Sequence, residues 1–282
     1  MRKAILLVGR WVLGRLIRFV PEALLGRILP GSLRFAPAGS PPPPNAPNTP
    51  IRLYVGPVNW AGQGWQWARA AERNLEGVGA VSMAYLLGNE FGHPVDNPVP
   101  VGRYVASASW QRRQYAAVRD GFTHVMIEAE RQPFGAILDQ SVSRQVRWLL
   151  RDGIEVMMLC HGTDIRLPSR HAAMNPFSPF RESLWKLTPR LETQARENRR
   201  LLDDLGRPVL VSTPDLLLDV PYARWLPVVV DTAAWASDPR PSDCWPTTSS
   251  RPPPSIVSRH PPMSRTSPNS GPWRRQASSV RA

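Results

Sequence analysis

Cysteine and long apolar runs are scarce in this chain, and both scarcities narrow what the protein can be. Only two cysteines, Cys160 and Cys244, occur among 282 residues. We therefore expect no disulfide framework, and a reducing cytoplasm suits the chain. No run of about 20 apolar residues, the length that crosses a bilayer, is present. Arg10, Arg15 and Arg18 interrupt the apolar stretch near the N-terminus, which argues against a secretory signal.

Several catalytic signatures are also missing. The sequence contains no CxxC or HExxH metal spacing and no glycine-rich phosphate loop, so we expect neither a metal nor a cofactor. Cys160 precedes His161, but adjacent residues in an extended run point in opposite directions. A cysteine hydrolase built on that pair is therefore not expected.

Leucine disappears from the last part of the chain. Residues 237–282 contain none and are dominated by Ser, Pro and Arg, so they bury too little apolar surface to fold. Trp245 and Trp273 are atypical of a disordered tail, and we hypothesise a frameshift near codon 236. The alternative is a genuine disordered tail. Translating the gene downstream of this codon in the other two frames distinguishes them.

The positive charge lies mainly at the two ends. Of the formal net charge of +13, residues 1–30 supply +5 (six basic side chains against one acidic). Residues 237–282 supply another +5 (seven against two). Residues 51–236 are left nearly neutral, which argues against a specific nucleic-acid partner.

Residues 1–35 form a basic segment with helical periodicity. Its apolar side chains share one face: Ile5, Val8, Val12, Leu16 and Phe19. This pattern favours an amphipathic helix in residues 1–30 that lies on an anionic membrane surface, with the protein on the inner face of the cell membrane. The alternatives are a helix packed on the domain, or translated upstream sequence added by a misplaced start codon. Residues 36–50 are rich in proline and predict a stiff linker.

Residues 51–236 alternate apolar strand patterns with helix patterns. Nearly continuous apolar strands in this alternation predict an α/β fold, a parallel sheet with helices on both faces. The predicted strands are 51–55, 80–85, 102–106, 124–129, 155–160, 208–212 and 226–230, and the predicted helices are 65–74, 107–119, 141–152 and 189–205.

Ligands in such sheets bind beyond the carboxyl ends of the strands, so the residues that follow each strand are the candidates. The first strand is followed by four residues that could bind an anion at a helix N-terminus, or could form a plain turn: Asn59, Gly62, Gln63 and Gly64.

Later strand ends carry titratable side chains. His161, Asp164 and Arg166 follow the fifth strand and could bind a polyol or a phosphate, with His161 moving protons. In the alternative, Asp164 caps a turn and His161 bonds a loop carbonyl. Glu128 and Glu130 close the fourth strand, where one could face the cleft or both could be solvated. Residues 212–215 predict a turn.

Three stretches together resemble the N-terminal half of a bacterial GT-B glycosyltransferase. They are residues 51–64, residues 161–164 and residues 225–231. In that family two Rossmann-like domains face each other across a cleft; the N-terminal domain binds the acceptor and the C-terminal domain binds the nucleotide-sugar donor.

The resemblance implies a role for several residues. Gly62 and Gly64 would line the cleft near the donor phosphates, His161 would lie beside the reacting sugar, and Asp231 would belong to the hinge. The expected partner is a sugar acceptor, and the nucleotide sugar is a substrate, not a cofactor.

The sequence departs from the family after residue 236. The donor-binding half would follow there, and residues 237–282 do not supply it. We therefore expect a glycosyltransferase-like protein, acting on an envelope or metabolite acceptor and inactive alone. The alternatives are a non-catalytic sugar- or partner-binding α/β module, and a surface-binding protein that acts through its basic ends.

Overall fold

The computed structural model describes residues 20–36, 39–88, 92–135, 141–181 and 186–232. Most of the predicted amphipathic helix and all of the 237–282 tail lie outside these ranges, so what was predicted of them stays a prediction. The described strands form one seven-stranded sheet in which every paired strand is parallel to its neighbour. They are β1 Ile51–Gly56, β2 Val78–Leu86, β3 Asn97–Pro100, β4 His124–Glu128, β5 Glu155–Cys160, β6 Val209–Val211 and β7 Arg224–Trp225.

The helices begin and end at residues suited to those positions. Ser107 and Ser141 each accept a hydrogen bond from a backbone N–H three residues on, as N-caps do. Gly206 ends the longest helix with φ of 57°, a left-handed conformation that glycine adopts without strain. The helices are α1 Glu22–Ile28, α2 Gln63–Asn74, α3 Val101–Ala106, α4 Ala108–Gly121, α5 Val142–Arg151, α6 Pro168–Met174 and α7 Thr188–Leu205.

Alternation along the strands sends apolar side chains to both faces of the sheet. On one face Tyr54 and Ile127 belong to a cluster that α4, α5 and α7 cover. On the other face Val55 and Met126 pack with Trp67 of α2. The predicted parallel α/β sheet with helices on both faces is therefore confirmed.

The strand order β3-β2-β1-β4-β5-β6-β7 is Rossmann-like. The chain lays down β1, β2 and β3 in one direction and then returns to place β4 against the other side of β1. The carboxyl ends of β1 and β4 therefore flank the point where the order reverses. Ligands of open parallel sheets bind at such a switch point.

The prediction of a strand at residues 102–106 was wrong, because α3 occupies that range. The third strand is β3, which begins five residues earlier and pairs only with β2 at the edge of the sheet. Pro98 and Pro100 alternate along it, so the positions that lack an N–H fall on the same, unpaired side. The two prolines argued against a strand in the sequence, but a strand at the edge of a sheet tolerates them.

The prediction of a closing strand at residues 226–230 was also wrong. The last strand is β7, only two residues long, and residues 226–231 have no regular structure. The Gln63 amide replaces a strand partner: Nε2 donates to the Val229 carbonyl at 3.1 Å, and Oε1 accepts from the Val229 N–H at 2.8 Å. The segment therefore packs on α2 instead of extending the sheet.

Besides α3, one more helix was not predicted. α6 begins at Pro168, and proline in the first helical turn is a start signal that the sequence offered.

Residues 20–50 pack against the domain where they are described. Glu22, at the start of α1, lies 3.3 Å from the guanidinium of buried Arg103. The Asn97 side chain donates to the Pro42 carbonyl at 3.0 Å, so the proline-rich segment runs along the sheet edge. None of the helices in the described ranges is long and apolar enough to span a bilayer.

Candidate functional site

The loop after β1 brings the start of α2 to the switch point. Gly62 is the N-cap residue of α2 and has φ of 73°, which glycine adopts readily. The Asn59 side chain fixes the loop from both ends, since Oδ1 accepts from the Trp65 N–H at 3.0 Å and Nδ2 donates to the Pro94 carbonyl at 2.8 Å. Asn59 and Gly62 therefore shape the turn, and the ligand contacts predicted for them stay predictions.

Three non-glycine residues near the ends of β1 and β4 have left-handed backbone. Ala61 has φ of 52°, Ala129 has φ of 56° and Glu130 has φ of 51°. Each such residue costs on the order of 1–3 kcal/mol and persists where its surroundings hold it in place. Backbone strain of this kind gathers at binding and catalytic sites, and here it lies on both sides of the switch point.

The central pair of the site joins β4 to β5. His161 Nε2 lies 3.1 Å from Glu128 Oε1. The Glu128 side chain is fully buried and the His161 side chain is 9% exposed. Burial raises the pKa of the Glu128 carboxyl, and the hydrogen bond to His161 partly offsets that rise. Neither carboxylate at this strand end is solvated, because Glu130 is buried as well.

The other carboxylate oxygen of Glu128, Oε2, is buried and accepts no hydrogen bond of good geometry. The nearby Val58 N–H nevertheless lowers the pKa of the carboxyl group. Gly64 lies against the carboxylate: a Cβ atom there would stand 2.9 Å from Oε2. The absence of a side chain at Gly64 therefore lets α2 approach Glu128.

Two indole rings pack around the His161 imidazole. The centroid of Trp60 lies 5.1 Å away and that of Trp67 lies 5.5 Å away. Trp67 is buried and donates to the Pro227 carbonyl, whereas Trp60 is 41% exposed. Trp60 also lines a cavity of about 140 Å³ beside the end of β2.

The Asp164 carboxylate caps the turn after β5. Its Oδ2 accepts from the His161 N–H at 2.8 Å, and its Oδ1 accepts from the Gly162 N–H. Ser212 Oγ, following β6, donates to the His161 carbonyl at 2.9 Å. Of the two alternatives for Asp164, the structure thus favours the capping role, which fixes the backbone that carries His161.

A buried polar cluster lies beneath this turn. Cys160 Sγ donates to Glu130 Oε1 at 3.0 Å, and Asn198 Nδ2 donates to the Asp164 carbonyl at 2.8 Å. Burial and the Asp164 charge raise the pKa of Glu130 well above its usual range. Burial and the neighbouring carboxylates also raise the pKa of the Cys160 thiol well above its usual range, so a thiolate is disfavoured.

This cluster has ligand types that zinc accepts. The ligand atoms of Glu130, Cys160 and Asp164 lie within 4.8 Å of one another. Both Asp164 oxygens already accept backbone N–H groups, and the thiol keeps its proton. The hydrogen bonds account for these residues, and we assign them to holding the His161 turn.

The remaining candidates have partners within the protein. The Arg166 guanidinium pairs with Asp215 at 2.6 Å, and Gln63 holds the closing segment through Val229. Asp231 is half-buried at the end of that segment. Residues 212–215 turn as predicted, because Pro214 begins a short 3₁₀ helix.

The sequence predicted His161 as a site residue but did not predict the side chains around it. Trp60, Trp67 and the Glu128 partnership were not predicted. Glu128 ends an apolar strand next to the strand that carries His161, and this position was a usable signal. No protein-family model and no curated protein matches this chain.

Proposed function

We propose that the described unit is the acceptor-binding half of a glycosyltransferase. The reaction moves a sugar from a nucleotide-sugar donor to a hydroxyl group of an envelope or metabolite acceptor. The observation that carries the proposal is the hydrogen-bonded His161–Glu128 pair at the switch point, beside the partly exposed Trp60. The resemblance of three stretches to the GT-B family supports the same assignment.

The pair can accept the proton that the acceptor hydroxyl releases. With Glu128 ionised, His161 Nε2–H donates to Oε1 and Nδ1 carries the lone pair. Nδ1 makes no hydrogen bond within the described part of the chain. The acceptor oxygen would bond to the sugar carbon as its proton passes to Nδ1, and the nucleoside diphosphate would leave with the electron pair of the broken bond.

Glu128 is a positioning residue in this scheme. It holds the ring in one tautomer, and its negative charge stabilises the imidazolium that forms. Trp60 supplies the apolar surface on which one face of a sugar ring packs, while its indole N–H remains a polar handle. The site thus has a base, a carboxylate that orients the base and an aromatic surface for the sugar. Together they can hold a sugar hydroxyl in line for reaction.

In GT-B enzymes the nucleotide-sugar donor binds to the C-terminal domain. The described residues of this chain form a single sheet, and the diphosphate belongs to the second domain of a GT-B enzyme. We therefore expect the 282-residue chain to bind its acceptor without turning over a nucleotide sugar.

A saccharide array probed with the purified chain tests the proposal. We expect saturable binding to a subset of immobilised mono- and oligosaccharides, and a loss of about tenfold or more in affinity for both Trp60→Ala and His161→Ala. Phe177→Ala is the matched control, because its ring is 91% exposed and lines neither of the two cavities described for this chain. Release of nucleoside diphosphate from UDP-glucose and GDP-mannose, measured in parallel, should stay at background.

The outcomes separate the alternatives. No saccharide binding by the wild-type chain, or unchanged binding by Trp60→Ala, would overturn the proposal. Loss with Trp60→Ala but not with His161→Ala would favour the non-catalytic sugar-binding module. Turnover of a nucleotide sugar would show that the chain needs no donor half.

Association of residues 1–30 with the inner face of the cell membrane is a separate proposal. It rests on the +5 charge and the apolar face of the segment. The full chain should sediment with anionic phosphatidylglycerol vesicles and not with phosphatidylcholine vesicles, and a variant with Arg10, Arg15 and Arg18 changed to Gln should remain in the supernatant. Equal sedimentation with both lipids would contradict it.

A further inference from the structure

Arg131 places a positive charge at the end of β4, near enough to the buried Glu130 carboxyl to lower its pKa slightly against the effect of burial. Its guanidinium carbon lies 5.7 Å from the centroid of the Trp60 ring. It makes no ion pair within the described part of the chain, and its Nε atom is buried without a hydrogen-bond partner. Buried polar groups are nearly always paired, so this unpaired N–H leaves the guanidinium with unused hydrogen-bonding capacity within the described part of the chain.

Arg131 lines a cavity of about 330 Å³ between α3 and the end of β2. The Tyr85 and Tyr104 rings stack in its wall, with centroids 4.6 Å apart and planes inclined by 27°. Aliphatic side chains complete the apolar part of the lining: Leu87, Val101 and Val105. This volume is at the small end of ligand cavities and suits a compound with one ring.

The positive charge of Arg131 affects the pKa of the two tyrosines in the cavity wall. Burial raises the pKa of the Tyr85 and Tyr104 hydroxyls, and Arg131 opposes that rise in both. The Tyr104 hydroxyl donates to the Gln132 carbonyl at 2.5 Å and is therefore already satisfied. The guanidinium is left as the strongest hydrogen-bond donor of the cavity, against aromatic and aliphatic walls.

We propose that this cavity binds an organic anion, in which a phosphate or carboxylate group meets Arg131 and an apolar or aromatic group packs on Tyr85 and Tyr104. A planar guanidinium matches either anion with two parallel hydrogen bonds, and the apolar walls exclude the water that would weaken them. The proposal concerns binding and is independent of glycosyl transfer. The Trp60 ring contacts both the Arg131 guanidinium, at 5.7 Å, and the His161 ring, at 5.1 Å.

Titration of the full chain with small aryl anions, followed by ligand-observed NMR, tests this site. Phenyl phosphate and benzoate are the two anionic probes, and their relative affinities tell which anion the cavity prefers. Inorganic phosphate and phenyl β-glucoside lack, respectively, the ring and the charge. We expect at least one aryl anion to bind with Kd of about 1 mM or tighter, and about tenfold more tightly than either control compound.

Substitutions connect the binding to Arg131. Arg131→Gln should weaken the preferred aryl anion about tenfold or more, whereas Arg131→Lys should retain part of the affinity because it keeps the charge. Arg73→Gln removes the same charge from an exposed position at the end of α2 and should leave binding unchanged. A thermal melt of each variant checks that it is folded.

Two results would overturn the proposal. One is the absence of measurable aryl-anion binding by the folded wild-type chain at about 10 mM. The other is equal binding by Arg131→Gln and Arg73→Gln, which would leave Arg131 as no more than a packing partner for Trp60.

Discussion

Gly64 controls how closely the first turn of α2 approaches the Glu128 carboxylate. A methyl group at this position would stand 2.9 Å from Glu128 Oε2 and 3.0 Å from the Val58 carbonyl. Gly64→Ala should therefore displace α2 or the carboxylate, lowering the free energy of unfolding by about 1–3 kcal/mol in urea titrations. The ring NMR signals of His161 should shift as its hydrogen bond to Glu128 changes.

Gly162→Ala is the matched control at the same edge of the sheet. A Cβ atom there would meet only the Arg166 guanidinium, at an ordinary contact distance of 3.5 Å. We expect its free energy of unfolding to stay within about 1 kcal/mol of the wild type. Equal losses for the two variants would show that contact with Glu128 does not explain the glycine at position 64.

The sequence could predict only those site residues whose place follows from their position at the end of a strand. His161 and Asp164 follow β5, and a parallel sheet places strand ends at its ligand-binding edge. The Glu128–His161 pair depends on which strand is the neighbour of β5, and the strand order is a property of the whole fold. Glu130 likewise accepts a hydrogen bond from Asn198 of α7, which is distant in the sequence.

At the scale of elements, Gln63 joins α2 to the closing segment as a strand neighbour would. Gln63→Ala removes both hydrogen bonds to Val229, each of which contributes about 0.5–1.5 kcal/mol. Amide hydrogen exchange at Val229 should accelerate by about tenfold or more, because its N–H loses its acceptor. Exchange in β1 and β4 should remain unchanged.

Gln66→Ala on the same helix removes the same side chain from a position whose Oε1 atom has no hydrogen-bond partner. It should leave exchange at Val229 unaltered. If Gln63→Ala also leaves that rate unaltered, residues 226–231 are held by their apolar contacts and not by the amide of Gln63.

Local pattern predicted most elements, and the two wrongly placed strands share one physical cause. Residues 226–230 have a strand composition, but Pro227 interrupts their N–H groups and the Gln63 amide replaces a partner strand. Residues 97–100 have a composition that argues against a strand, yet an edge position accepts Pro98 and Pro100. In both cases a tertiary neighbour, which no local window contains, decides the outcome.

At the scale of the whole molecule, charge is distributed unevenly between the ends and the folded unit. The ends carry most of the net charge of +13, while the sheet buries two carboxyl groups within three residues of each other, Glu128 and Glu130. Ionising Glu130 in such surroundings is unfavourable, so this group links global stability to pH.

Burial raises the pKa of Glu130 well above its ordinary value of 4.5, and the Asp164 charge raises it further. The folded state therefore holds a proton that the unfolded chain releases. The stability from the neutral carboxyl is fully present below pH 4.5 and is lost as the pH rises through the folded-state pKa. A single group of this kind changes the free energy of unfolding by up to about 1.4 kcal/mol per pH unit.

Glu130→Gln cannot ionise, so its stability should fall less steeply with pH. Urea unfolding of the full chain at several pH values from about 4 to about 8 should give two curves that diverge above pH 4.5, with the variant gaining relative to the wild type. Glu197→Gln, exposed on α7, should track the wild type throughout. Parallel curves for Glu130→Gln and the wild type would mean that Glu130 releases its proton in the folded state as readily as in the unfolded chain, and that burial and the Asp164 charge do not hold it neutral.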